Sequence, residues 1–214
     1  MSDEVSRGRL PENATIDAAR AYEDKRFGRR SRMQRLNAKE REFAKHVFQM
    51  AGPRPRVVDI PCGSGRFFDI FSVAQEYVMA DISPSMLQVV RERFGPPPHV
   101  RLMETNVSKI PLPDNSADLC FCMRLFHHFP SDEVRLAALR ELARVSSGYI
   151  ALSFYNKESL RYRWRKMLGK RIRGHYIGFN DLAALAQQVG LTVCERIPTR
   201  NLLEQQCFIT LKKS

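Results

Sequence analysis

The residues best placed to do chemistry close short apolar runs. Asp59 ends Arg56-Val57-Val58-Asp59, and a tight Ile60-Pro61-Cys62-Gly63-Ser64-Gly65 turn follows at once. Asp81 ends Glu76-Tyr77-Val78-Met79-Ala80-Asp81, and Asn106 ends a run that begins at Val100. His127 and His128 follow the apolar run Leu119 to Met123. A carboxylate at the end of a strand can accept two hydrogen bonds from a ribose diol. Glycines accept positive φ and let a ligand approach bare backbone. Paired histidines could bind a metal or act as a base; neighbours on a strand face opposite ways, so one is expected to face a pocket and the other to be structural. A nicotinamide-binding turn would need a third glycine where Phe68 stands, and would carry its acid after the turn. A phosphate-binding loop would need Gly-Lys-Ser/Thr, which this turn lacks.

Asp59-x-x-Cys62-Gly63-x-Gly65 resembles motif I of the class I S-adenosylmethionine-dependent methyltransferases, the ubiquinone/menaquinone-biosynthesis type in particular. Asp81-Ile82-Ser83-Pro84-Ser85-Met86-Leu87 resembles the segment after motif I in the same family. The resemblance spans roughly residues 55 to 155 and implies S-adenosyl-L-methionine as cofactor, with S-adenosyl-L-homocysteine as product. It implies that Asp59 orients the turn and the methionine end of the cofactor, and that Gly63 and Gly65 offer close backbone contact. Pro61, Cys62 and Ser64 would line the same turn, Cys62 without reacting. Asp81 would hold the ribose, with Ile82 and Met86 beside it. The family has an acid where this chain has Asn106, whose amide oxygen would accept from the adenine amino group while the Val107 N–H reads the ring. Arg124-Leu125-Phe126-His127-His128-Phe129 resembles the family's wall between cofactor and substrate, which adds Arg124 to the cofactor set and makes His127 and His128 the catalytic candidates. Tyr22, in a stretch similar to the N-terminal Tyr-Asp region of related enzymes, would be the candidate for the aromatic lid that covers the cofactor there. No metal site is implied.

The resemblance implies the α/β fold that holds these residues: a single Rossmann-like domain, a mostly parallel seven-stranded sheet with a final antiparallel strand, and helices on both faces. Arg66 to Ala74 is expected to be the first sheet-covering helix, its N-terminus aimed at the ligand. Pro84 to Phe94 is the second, with Ser83 as N-cap and Pro84 at the first helical position. Ser131 is expected to cap a third, and Asn180-Asp181 a last one closing at Gly190. Leu191 to Ile197 and Gln206 to Leu211 read as a terminal β pair. Residues 1–50 are expected to form a basic helical cap, with Phe43, Val47 and Phe48 as the apolar stripe of a helix packed on the sheet edge. Residues 51–214 form the cofactor-binding domain, with a basic insert at about 157–178.

Composition narrows the partners. With 214 residues the chain is one domain's length, and its net charge is +12. That charge favours nucleic acid, phospholipid headgroups or an anionic small molecule. No apolar run reaches the roughly 18 residues of a membrane-spanning helix. The acidic N-terminus lacks a secretory core, which points to the cytoplasm, and the basic segments point to peripheral contact at the inner membrane surface. Five cysteines, odd in number and irregularly spaced, argue against a disulfide scaffold. Cys120 and Cys122, two apart, read as core packing. The insert interleaves arginines and lysines with Tyr162, Trp164, Met167 and Leu168, a pattern that suits a membrane surface or stacked bases. The expected function is methyl transfer to a small-molecule or lipid-like acceptor at O, N or C. The alternatives are RNA methylation and a non-catalytic cofactor-binding module.

Overall fold

The computed structural model describes Ile16, residues 31–197 and residues 205–213. Seven strands form one sheet: β1 (Arg56–Asp59), β2 (Glu76–Asp81), β3 (Val100–Glu104), β4 (Ala117–Cys122), β5 (Ser146–Tyr155), β6 (Leu191–Ile197) and β7 (Gln206–Lys213). Their order is β3-β2-β1-β4-β5-β7-β6. The first five run parallel, and β7 enters antiparallel between β5 and β6. This is the expected Rossmann-like sheet with its antiparallel final strand. The chain reverses direction across the sheet at β1 and β4, so the carboxyl ends of β1, β2 and β4 frame the crevice where ligands bind in such sheets.

Alternation along the strands divides the core in two, because successive side chains on a strand point to opposite faces. Val57, Tyr77, Met79, Leu119 and Phe121 face one layer; Val58, Val78, Ala80, Cys120 and Cys122 face the other. The first layer is covered by α1 (Ser31–Met50), α2 (Phe68–Phe71) and α3 (Pro84–Phe94); the second by α4 (Asp132–Val145) and α6 (Phe179–Gln187). Cys120 and Cys122 are wholly buried, as free cysteines packed like small hydrophobes. The remaining helix, α5 (Leu160–Met167), buries no residue in either layer.

Several boundaries differ from the expected ones. Helix α1 does not lie on the sheet edge. Its Phe43 ring stacks on Phe208 at 4.9 Å and sits 6.3 Å from Phe121, which places the helix over β7 and β4. The stripe of Phe43 and Val47, both buried, with Phe48 half-buried, is the reason it packs there. The expected helix over Arg66 to Ala74 shrinks to the single turn of α2, flanked by turns whose N–H groups reach three residues back: Phe68 to Gly65, Ile70 to Phe67, Ala74 to Phe71. So short a helix contributes little dipole to a ligand. Asn180 and Asp181 lie inside α6, whose N-cap is Gly178. Ser131 precedes α4 in an extended conformation without a side-chain cap bond to the helix backbone. Helix α3 matches expectation: Ser83 Oγ accepts from the Met86 N–H at 3.4 Å, and Pro84 opens the helix.

Candidate cofactor site

The turn after β1 is held between its neighbours. The Ile60 N–H donates to Phe121 O at 2.9 Å on one side, and the Cys62 N–H to Ala80 O at 2.8 Å on the other. Gly63 and Gly65 both take positive φ, +54° and +81°. A Cβ on Gly63 would meet nothing within 4 Å, so this backbone faces open space. A Cβ on Gly65 would lie 2.6 Å from the Phe94 ring and 3.2 Å from Met79. The two glycines therefore do different work. Gly63 leaves room for a ligand, and Gly65 also lets α3 close onto the turn.

Asp81 joins the two motifs. Its Oδ2 accepts from the Gly63 N–H and its Oδ1 from the Ser83 N–H, each at 2.9 Å. Burial pushes this carboxyl up, while the backbone N–H groups of Ser83, Gly63 and Ile82 pull it back. A carboxylate has about four lone-pair positions, more than these backbone donors fill, which leaves acceptor capacity for a ribose hydroxyl. Pro61, Gly63 and Ile82 are half-buried around it; Ser64 and Met86 are buried.

Asp59 is wholly buried. Tyr77 Oη donates to its Oδ2 at 3.1 Å, while Oδ1 has no hydrogen-bond partner among the described residues. Burial pushes its pKa up to about 8, against the Tyr77 hydrogen bond and the Arg66 charge; Asp81 adds to the rise. An orphaned, fully buried acceptor beneath a ligand turn fits a site that receives an ammonium or hydroxyl donor. Cys62 is buried, and burial pushes its thiol well up, so it stays protonated and inert.

One side chain that organises the site was not anticipated. Glu40 of α1, wholly buried, accepts from Arg66 Nη1 at 2.5 Å and Arg124 Nε at 2.6 Å. It also accepts from Arg124 Nη2 at 2.8 Å and Gln206 Nε2 at 2.6 Å. Burial raises its pKa, but the charges and hydrogen bonds of Arg66 and Arg124 outweigh that and hold it below the usual range. Arg66 leaves the glycine turn, Arg124 follows β4, and Gln206 opens β7, so one carboxylate ties three parts of the sheet to α1. Arg124, expected beside the cofactor, spends its guanidinium on Glu40; its backbone takes φ +57° and its N–H donates to Ser153 Oγ at 2.8 Å. A signal was available. Glu40 shares the i, i+3, i+4, i+7 face with Phe43, Ala44 and Val47, where a lone charge needs a buried partner.

The remaining expected residues fall as follows. β3 stops at Glu104, so Asn106 lies in the loop beyond it. Its Oδ1 accepts from both the Ser108 N–H and Oγ at 3.0 Å, closing the turn, rather than standing at a strand end. Val107 is buried beside it. His127 and His128 sit on a 3₁₀ turn, Phe126–His128, so strand alternation does not apply to them. His127 is buried, its ring stacked on Tyr155 at 4.1 Å and 13°; His128 is exposed, 4.1 Å from His127. Beyond Tyr155 the aromatic rings continue to Tyr176 at 5.3 Å and Tyr162 at 4.5 Å from Tyr176. Tyr22 lies outside the described residues.

The glycine turn, the two strand-end carboxylates and the 3-2-1-4-5-7-6 sheet define the class. Residues 58–152 match the methyltransferase domain family, and the sheet around them has the fold of the class I S-adenosylmethionine-dependent methyltransferases. It is 33% identical over 117 residues to a ubiquinone/menaquinone biosynthesis C-methyltransferase of Ectopseudomonas mendocina, covering 49% of this chain and 43% of that protein. A probable S-adenosylmethionine-dependent methyltransferase of Mycobacterium tuberculosis is 32% identical over 123 residues, covering 54% and 43%. The chain thus spans less than half the length of these curated relatives. Among solved structures, the magnesium protoporphyrin IX methyltransferase of Synechocystis, with bound S-adenosylhomocysteine, superposes with a TM-score of 0.73. The two share 16% identity, and the match covers 93% of this chain and 98% of that one, a likeness of fold.

Proposed function

We propose that the chain transfers a methyl group from S-adenosylmethionine to a small, lipid-like acceptor. The observation that carries the cofactor half is the coupling of Asp81 to the Gly63 N–H beside the open space above Gly63. Asp81 is suited to take the ribose diol on its remaining lone pairs, and the buried Asp59 to face the methionine end. The cofactor supplies an electrophilic methyl on a sulfonium; in-line displacement asks the protein mainly to align the partners and exclude water. The acceptor side would be walled by His127, clamped flat on Tyr155, with Tyr176 and Tyr162 beyond. Aromatic faces suit an apolar, planar acceptor. Of the two histidines, the exposed His128 is the one able to meet an acceptor's proton. The ubiquinone/menaquinone relative and the protoporphyrin methyltransferase of like fold support an acceptor of this kind.

Calorimetry with S-adenosylmethionine and its demethylated product tests the cofactor half. Transfer from labelled cofactor into lipid, small-molecule and RNA fractions tests the acceptor. Label confined to RNA would overturn the lipid-like assignment, and absence of cofactor binding would leave only a module of the same fold.

A further inference from the structure

Helix α5 presents an apolar stripe that the fold does not use. Leu160, Trp164, Met167 and Leu168 follow the i, i+4, i+7, i+8 spacing of one helical face, and all four are exposed; Met167 is 75% and Trp164 59% accessible. At 100° per residue the four fall within a 100° arc. Tyr162 points the opposite way, half-buried against Tyr176, so the stripe faces away from the protein. The flanks are cationic. Arg163 is exposed beside the stripe, Lys166 is exposed on the Tyr162 side of the helix, and Lys170, Arg171 and Arg173 are exposed just after it. No acid occurs between Ser159 and Gly178. A groove of about 710 Å³ runs along the helix between Lys157, Arg163, Lys166 and Met167, with Glu158 at its wall.

Exposed apolar side chains ringed by cations are costly in water, and two surroundings could relieve them. Nucleic acid would satisfy the charges but leave Leu160, Met167 and Leu168 wet, since only Trp164 can stack on a base. An anionic bilayer satisfies both: apolar side chains enter the headgroup–acyl boundary while the arginines and lysines meet phosphates. We propose that α5 is an interfacial docking helix that seats the protein on anionic phospholipid bilayers. β5 runs parallel to β4, and its end leads directly into α5, so the helix lies at the same end of the sheet as Asp59 and Asp81. The following segment returns to the acceptor wall, where the His175 N–H donates to His127 O at 2.8 Å. A docked α5 would therefore place that wall against the membrane surface. Docking itself does not rest on the methyl-transfer reading, because vesicle binding is measured without cofactor.

Trp164 is the sole tryptophan of the chain and reports directly. In buffer its emission should be that of a wetted indole, quenched by acrylamide. Vesicles of phosphatidylcholine with about a third phosphatidylglycerol should shift it to the blue. Acyl chains brominated near the headgroup should quench it. Met167→Glu should weaken vesicle binding by about tenfold or more through the buried charge. Arg163→Ala with Lys170→Ala should weaken it by roughly fivefold per residue, most visibly at low salt. All these side chains are exposed, and an unchanged melting temperature verifies the fold. An emission already blue in buffer would show the stripe covered by protein and overturn the proposal. So would full vesicle binding by Met167→Glu, or a Trp164 response to RNA with none to vesicles.

Discussion

Replacing Glu40 by Gln keeps the side chain's shape and removes its charge. In the native protein the carboxylate receives four hydrogen bonds from Arg66, Arg124 and Gln206, three of them from guanidinium groups that are themselves only 14% and 12% exposed. The amide offers one acceptor oxygen and turns an NH₂ toward cations, so Arg66 and Arg124 lose the carboxylate they share. Breaking a buried pair from one side costs about 3–5 kcal/mol, because the stranded charge stays desolvated. For a chain of this length, each kcal/mol lowers the midpoint by about 2–4 °C, so a fall of roughly 6–20 °C is expected. Urea or thermal unfolding followed by circular dichroism reads it. Wild-type stability should also fall on the acid side. A carboxyl held low in the folded state contributes above its unfolded pKa, about 4.3, and that contribution is lost as pH drops through its folded value. Glu40→Gln should remove that part of the acid limb. A variant within about 1 kcal/mol of wild type at neutral pH would refute the reasoning, since the network would then be no tighter than a solvent-screened surface pair.

Asp59 works in the opposite sense. Its folded pKa of about 8 stands above the unfolded one, so its contribution is full below about pH 4 and is lost as pH rises through 8. Wild type should lose about 1.4 kcal/mol per pH unit in that window relative to Asp59→Asn, read by urea unfolding at several pH values. Parallel curves for the two proteins would discard the assignment. Asp81→Ala should weaken S-adenosylmethionine binding by about 1–3 kcal/mol in calorimetry, the scale of a hydrogen bond to a charged group. Unchanged affinity in a folded variant would remove Asp81 from the ribose. Gly63→Ala and Gly65→Ala should separate: both carry backbone strain of about 1–2 kcal/mol, but only Gly65→Ala also drives into the Phe94 ring. Gly65→Ala should therefore melt lower and Gly63→Ala should lose more cofactor affinity; the reverse ranking would contradict the division of labour between them.

The parallel sheet and its crevice were legible because Val57 to Asp59 and Tyr77 to Asp81 are buried runs ending in acids, a pattern that local sequence carries. Ser83-Pro84 set the start of α3 for the same reason. What escaped was tertiary. Nothing near Arg124 in sequence says that its partner lies 84 residues away in α1, nor that Asn106 would turn onto Ser108. The histidines were misplaced on a strand because Leu125–Phe126 prolongs the apolar run of β4, while the backbone in fact curls into a 3₁₀ turn and stacks His127 on Tyr155. No helix among the described residues is long and apolar enough to cross a membrane.

The strand order has a consequence for synthesis. β7, last along the chain, is threaded between β5 and β6, and among the described residues β6 pairs with no other strand. Gln206, its first residue, also completes the shell of Glu40. As the polypeptide leaves the ribosome, the glycine bend and both acids emerge early, yet β6 has no neighbour to pair with and the arginine clamp stays incomplete until residue 206 appears. A nascent chain halted before that point should be protease-sensitive at β6, and its hold on the cofactor should tighten once the last strand slots in.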